Sequence, residues 1–112
     1  MALPIHNLLT PTYDAFNRPE ETKYGNTRYT YAYNANGQAA KVKFEKNNVL
    51  TRTFETEYDL ALRPRRSSVL NGSGTPLYEA TLIYDDYGRL EEFEEGVDSN
   101  TYRSDYAYDN DD

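Results

Sequence analysis

The stretch Tyr84-Asp85-Asp86-Tyr87-Gly88-Arg89-Leu90 reads as the end of one strand, a turn and the start of another. Tyr favours strands. An Asp directly after it can bond backbone two residues on and so open a turn. Gly at the fifth place tolerates the positive φ that closes such a turn. Arg89 and Leu90 then begin the return strand. The stretch predicts a β-hairpin built around a four-residue turn.

The pattern recurs along the chain. Tyr13-Asp14-Ala15-Phe16-Asn17-Arg18-Pro19, Tyr33-Asn34-Ala35-Asn36-Gly37-Gln38-Ala39 and Tyr58-Asp59-Leu60-Ala61-Leu62-Arg63-Pro64 are earlier copies, and Tyr108-Asp109-Asn110 starts a fifth. Successive tyrosines lie 20, 25, 26 and 24 residues apart. Asn17, Gly37 and Gly88 all suit a left-handed fifth position. Leu62 does not, because a branched apolar side chain disfavours positive φ. A different turn type is therefore expected in the third copy.

Between copies stand further turn residues: Asn47-Asn48, Gly72-Ser73-Gly74, and Gly96 through Asn100. The flanking segments alternate with period two, as half-buried strands do. Tyr29, Tyr31 and Tyr33 share a face. Ala40, Val42 and Phe44 alternate with Lys41, Lys43 and Glu45. Leu50, Phe54, Thr56 and Tyr58 form one row, and Tyr78, Ala80, Leu82 and Tyr84 another. The expectation is an all-β fold, an antiparallel meander of hairpins forming one twisted, curled sheet of about seven or eight strands. Residues 1–112 form one domain, with residues 1–11 as a lead-in. The tyrosine-rich face must be covered by curling, by the Leu3 to Leu9 segment, or by another copy.

Composition narrows the function classes. The chain has 112 residues, no Cys, one His and a net charge of -7. No disulfide framework, thiol nucleophile or cysteine-based zinc site is available, and one His cannot build a multi-histidine centre. No metal or cofactor is expected. The acidic balance argues against nucleic acid, and no apolar run has the length of a membrane span. Leu, Ile, Val and Phe together number only 20 of 112, a poverty seen in disordered chains. The 12 tyrosines argue instead for a folded sheet with a thin, tyrosine-rich core.

The repeated words resemble the YD repeat of the Rhs family, which also occurs in teneurins and in the shells of insecticidal toxin complexes. Tyr84 to Leu90 is close to the family's Y-D-x-x-G-R-L, and Tyr31-Ala32-Tyr33 and Tyr106-Ala107-Tyr108 match its Y-x-Y-D lead-in. The likeness runs from Thr12 to Asp109. Small secreted or lipid-anchored proteins of gut bacteria carry similar repeats. The resemblance implies a long antiparallel sheet, a bacterial extracellular or cell-surface setting, and neighbouring repeats or self-association through sheet edges as partners. Four hairpins cannot enclose a cargo, so the family's encapsulating role does not carry over to this chain alone. Its shell-sealing segment and autoproteolytic aspartates are absent.

The residues to which this reading assigns turn and motif roles are Tyr13, Asp14, Tyr33, Asn34, Gly37, Tyr58, Asp59, Tyr84, Asp85, Gly88, Arg89 and Leu90. The tyrosines outside the Tyr-Asp word, Tyr24, Tyr29, Tyr87 and Tyr102, are candidates for stacking on a carbohydrate. Arg63, Arg65 and Arg66 form the densest basic cluster and are candidates for an anion. Asp14, Asp59, Asp85 and Asp109 recur once per turn, which turn chemistry alone requires, rather than in a pair at the separation glycoside hydrolysis needs. Residues 1–78 carry 10 Lys and Arg against 7 Asp and Glu, and residues 79–112 carry 2 against 12. No D-x-D-x-D-G calcium loop accompanies the acidic end. A non-enzymatic structural surface module is the leading expectation. The alternative is a small extracytoplasmic carbohydrate-binding protein with a tyrosine-lined sheet face.

Overall fold

The computed structural model describes residues 9–97 and 100–108. The lead-in 1–8, Asp98-Ser99 and the acidic end from Asp109 lie outside the described residues. So does the fifth copy's Asp109.

Nine strands follow one another: β1 (Thr10–Tyr13), β2 (Pro19–Tyr24), β3 (Thr27–Tyr33), β4 (Ala39–Lys46), β5 (Val49–Tyr58), β6 (Pro64–Asn71), β7 (Pro76–Tyr84), β8 (Leu90–Val97) and β9 (Asn100–Asp105). They form one sheet in sequence order, every pair antiparallel. The count exceeds the expected seven or eight because Gly25-Asn26 is itself a hairpin turn. Gly25 has φ 59°, and Tyr24 faces Thr27 across it. Gly96 and Val97, read above as part of a turn, instead extend β8 and pair with Thr101 and Asn100.

The turns of the four copies gather at one end of the sheet. Each is followed by a slip of one residue in register: Tyr13 faces Pro19 but Thr12 faces Glu21, and Tyr84 faces Leu90 but Ile83 faces Glu92. Glu20, Ala40, Arg65 and Glu91 are thus the extra residues of four equivalent bulges, which increase local twist. A further bulge at Thr51 places Leu50 opposite Glu45, so Leu50 leaves the Phe54 row it was expected to join.

Register separates two faces. Tyr29 faces Phe44, Tyr31 faces Val42, Val42 faces Phe54 and Phe54 faces Val69. The row continues through Tyr78, Ala80, Leu82 and Phe93. The opposite face is charged, with Arg28 against Glu45, Lys41 against Glu55, Arg66 against Glu79 and Arg103 against Glu92.

The thin core expected from composition is thinner still. Among the described residues only Ala80 (4% exposed) and Thr53 (6%) are buried. The sheet is a single layer, and no second element covers the aromatic face among those residues. The radius of gyration is 18.1 Å, against about 13 Å for a compact domain of this length. Cohesion therefore comes from the backbone ladder and cross-strand pairs such as Tyr29–Phe44, whose rings lie 5.1 Å apart.

Candidate functional site

Each motif turn is wired the same way. In the fourth copy Gly88 N–H donates to Asp85 O at 3.0 Å, and Asp85 N–H donates to Arg89 O at 2.8 Å. Asp85 Oδ1 accepts from the backbone N–H of Tyr87 and of Arg89, both at 2.9 Å, and Oδ2 accepts from Arg89 Nε at 2.9 Å. One carboxylate thus satisfies two turn donors and anchors an arginine. Asp14 does the same for Phe16 and Arg18, and Asp59 for Ala61 and Arg63.

Leu62 corrects the expectation of a different third turn. It has φ 66°, and Leu62 N–H donates to Asp59 O at 3.0 Å, as in the other copies. The Asp59–Arg63 network imposes the left-handed conformation on a residue that does not favour it.

The second copy replaces the charged pair with a neutral one. Asn34 Oδ1 accepts from Asn36 and Gln38 N–H, and Asn34 Nδ2 donates to Gln38 Oε1 at 3.2 Å. The sequence reading missed one further example, at the opposite end of the sheet. Asn71 Oδ1 accepts from Ser73 and Thr75 N–H at 2.9 and 3.0 Å, and Gly74 takes φ 86°. The signal was present as Asn71-x-x-Gly74, but without the leading Tyr.

These turns are joined to one another. Arg18 lies 4.2 Å over the ring of Tyr33, Arg63 over Tyr84 and Arg89 over Tyr108 at the same distance. Each of those three tyrosines, and Tyr58 as well, also donates its hydroxyl to the last residue of the preceding word. Tyr33 bonds Pro19 O at 2.6 Å, Tyr58 bonds Ala39 O at 2.8 Å, Tyr84 bonds Pro64 O at 2.5 Å and Tyr108 bonds Leu90 O at 2.6 Å. Where Gln38 replaces Arg, its Nε2 reaches across to Leu62 O at 2.9 Å. Gly88 is called for by its φ of 81°; a Cβ there would make only an ordinary contact, 3.5 Å from Arg63 Nη1.

The electrostatics follow from this wiring. Arg18 N–H holds the Asp14 carboxyl below its ordinary value, and the Arg63 N–H does so for Asp59. At Asp85 partial desolvation pushes upward, but the bonds and charge from Arg89 and Tyr87 outweigh it and the net shift is down. On the charged face the hydrogen bond from Arg28 to Glu45 raises the Arg28 pKa.

The proposed anion cluster does not converge. Arg63 belongs to the turn ladder, Arg65 lies 3.7 Å from Glu57 and Arg66 lies 2.9 Å from Glu79. Tyr24, Tyr87 and Tyr102 are exposed, and Tyr29 is 37% exposed beside Phe44. Tyr87 caps Arg89 at 5.1 Å and sits at the turn end, apart from the other three. Among the described residues no group of three or more acidic or histidine side chains is placed to hold a metal. Among the described residues no helix is long and apolar enough to cross a membrane.

No known protein family matches the chain, and no curated protein matches it. Among solved structures it is similar to TarM, at 8% identity and a TM-score of 0.41, over 85% of this chain and 19% of that one. It is also similar to a variant of S. aureus TarM in complex with fondaparinux, alpha-GlcNAc-glycerol and UDP, at 9% identity and a TM-score of 0.41, over 87% and 19%. The chain thus spans about a fifth of the length of these structures.

Proposed function

We propose that the chain is a non-enzymatic structural module, a section of a YD-repeat scaffold of the Rhs and teneurin type displayed outside a bacterial cell. The observation that carries this reading is the turn ladder. Its recurring Asp, Arg and Tyr side chains are engaged with one another, each word fastened to the next at the sheet end. Residues kept in this pattern for catalysis would leave a carboxylate free to meet substrate. Here each of the three described motif carboxylates, Asp14, Asp59 and Asp85, accepts three hydrogen bonds from its own turn. Partners in this reading are further repeats or further copies, joined through sheet edges.

A second reading has its own support. Tyr24, Tyr29, Phe54 and Tyr102 are exposed along the uncovered aromatic face, where sugar C–H groups can stack. A glycan array with the full chain, followed by calorimetric titration, separates the two. The scaffold reading expects no saturable binding. Saturable binding to one glycan class, abolished by Tyr24→Ala without change in melting temperature, would establish the carbohydrate reading instead.

A further inference from the structure

The two outer strands of the sheet differ. β1 has four residues and includes Pro11, which has no N–H to offer a new strand. β9 has six residues, no proline, and is exposed throughout. Among the described residues it pairs only with β8. Its backbone phase is fixed by one bond, Tyr106 N–H to Glu91 O at 2.9 Å. In an antiparallel ladder, residues bonded to one neighbour alternate with residues pointing to the other side. Tyr102 and Ser104 therefore bond β8. Thr101, Arg103 and Asp105 turn their N–H and C=O groups to the open edge.

An odd number of strands gives β1 and β9 the same direction. Stacking copies edge to edge in one orientation would set β1 parallel to β9, against the antiparallel pattern of every other pair. Pairing β1 antiparallel to β9 would turn the second copy over and set its aromatic face on the charged side, so antiparallel pairing that keeps both aromatic faces on one side sets like edge against like edge, about a two-fold axis normal to the sheet. That contact is isologous and closed.

On β9 only outward-pointing residues can be bonded across the axis, which leaves four central registers. Tyr102 on the axis sets Thr101 opposite Arg103 and forms no ion pair between the copies. Arg103 opposite Arg103, or Asp105 opposite Asp105, sets like charges face to face, which is destabilising. The remaining register puts Ser104 on the axis and Arg103 opposite Asp105 of the second copy, twice. It also sets Tyr102 opposite Tyr106 of the second copy, both of them exposed in the single chain (59% and 45%). We propose that the 112-residue chain dimerises in this way, two sheets joining at β9 with Ser104 on the axis. The proposal rests on the scaffold reading and specifies which edge takes which partner.

The chain has no cysteine, so single cysteines report the register. Residues on the axis form a non-bonded pair with Cα atoms about 4.5 Å apart, within disulfide reach. In a glutathione redox buffer, Ser104→Cys is expected to crosslink at least tenfold more than Tyr102→Cys, Arg103→Cys or Asp105→Cys, each variant confirmed folded by circular dichroism. Sedimentation velocity of the unmodified chain is expected to show monomer and dimer with no larger species. Asp105→Arg should return it to monomer, and adding Arg103→Asp to the same chain should restore the dimer. Equal crosslinking at the four positions, crosslinking strongest at Tyr102, open-ended growth, or a monomer at every concentration would overturn the proposal. None of these outcomes touches the scaffold reading, which the glycan titration tests separately.

Discussion

The guanidinium of Arg63 sits 4.2 Å over the ring of Tyr84 while its Nε is 2.8 Å from Asp59 Oδ2. One side chain thereby closes its own turn and grips the next one. Arg63→Ala removes both contacts, and an expected loss of about 1–2 kcal/mol follows from a partly exposed cation–π contact and a charged hydrogen bond. Arg63→Gln should recover part of it, because Gln38 spans the equivalent gap with a hydrogen bond to Leu62 O. Urea unfolding of the two variants measures the difference. Equal losses would mean the planar cation, not the reach of the side chain, carries the link.

Leu62 is the one strained motif turn. It is half exposed, so Leu62→Gly gives up little burial and relieves a left-handed non-glycine residue. A gain of about 0.5–1 kcal/mol is expected after the entropy that glycine costs. Gly88→Val makes the opposite change, adding a branched side chain at φ 81° beside Arg63. A loss of roughly 2 kcal/mol is expected. Thermal melts of both variants check the pair, and a destabilised Leu62→Gly would refute the strain argument.

The tyrosine hydroxyls give a series with an internal control. Tyr33, Tyr58, Tyr84 and Tyr108 each bond a carbonyl of the preceding word. Tyr13 has no preceding word among the described residues and is 54% exposed. Tyr84→Phe is expected to cost about 1 kcal/mol, and Tyr13→Phe nothing measurable. A cost for Tyr13→Phe equal to that of Tyr84→Phe would show that the effect is not the inter-turn bond.

How far the sequence could be read follows from which forces are local. The all-β class, the antiparallel meander and three of the four motif turns were legible because Asp-x-x-Gly chemistry and period-two alternation act within a few residues. The Gly25-Asn26 hairpin was missed because its strands are short and polar, with Glu20, Glu21 and Lys23 between Pro19 and Tyr24. Leu62 was misjudged because propensity ignores the Asp59 and Arg63 bonds that override it. The role of Arg in gripping the following Tyr was invisible, since it depends on strands 15 to 21 residues apart in sequence lying side by side. The exposure of the aromatic face was also beyond reach, because alternation says which residues share a face and not whether anything covers it.

A sheet in which each strand pairs only with its sequence neighbours should open from its ends. The two buried residues, Thr53 in β5 and Ala80 in β7, are central. Native-state hydrogen exchange should therefore show protection highest in β5 to β7, falling stepwise toward β1, with β9 raised only at concentrations where the chain self-associates. Uniform protection across all nine strands would mean a single cooperative unit held together by something besides nearest-neighbour pairing.

Acid should weaken the ladder in a defined window. Asp14, Asp59 and Asp85 have carboxyls held below the ordinary value of 3.8 in the folded chain. A depressed folded pKa means the unfolded state binds protons first as pH falls. The stabilisation is then complete well above the unfolded value and is lost as pH drops through the folded one, between about pH 5 and pH 2. Replacing all three by Asn keeps the backbone-accepting oxygen, as Asn34 and Asn71 already demonstrate in their own turns, and removes the negative charge that faces Arg18, Arg63 and Arg89. The triple variant should be less stable than the parent at pH 7 and lose less on acidification, so that the two urea midpoints converge near pH 2. A gap between them that stays constant from pH 7 to pH 2 would show that the three carboxylates act through shape and hydrogen bonding alone, with no contribution from their charge.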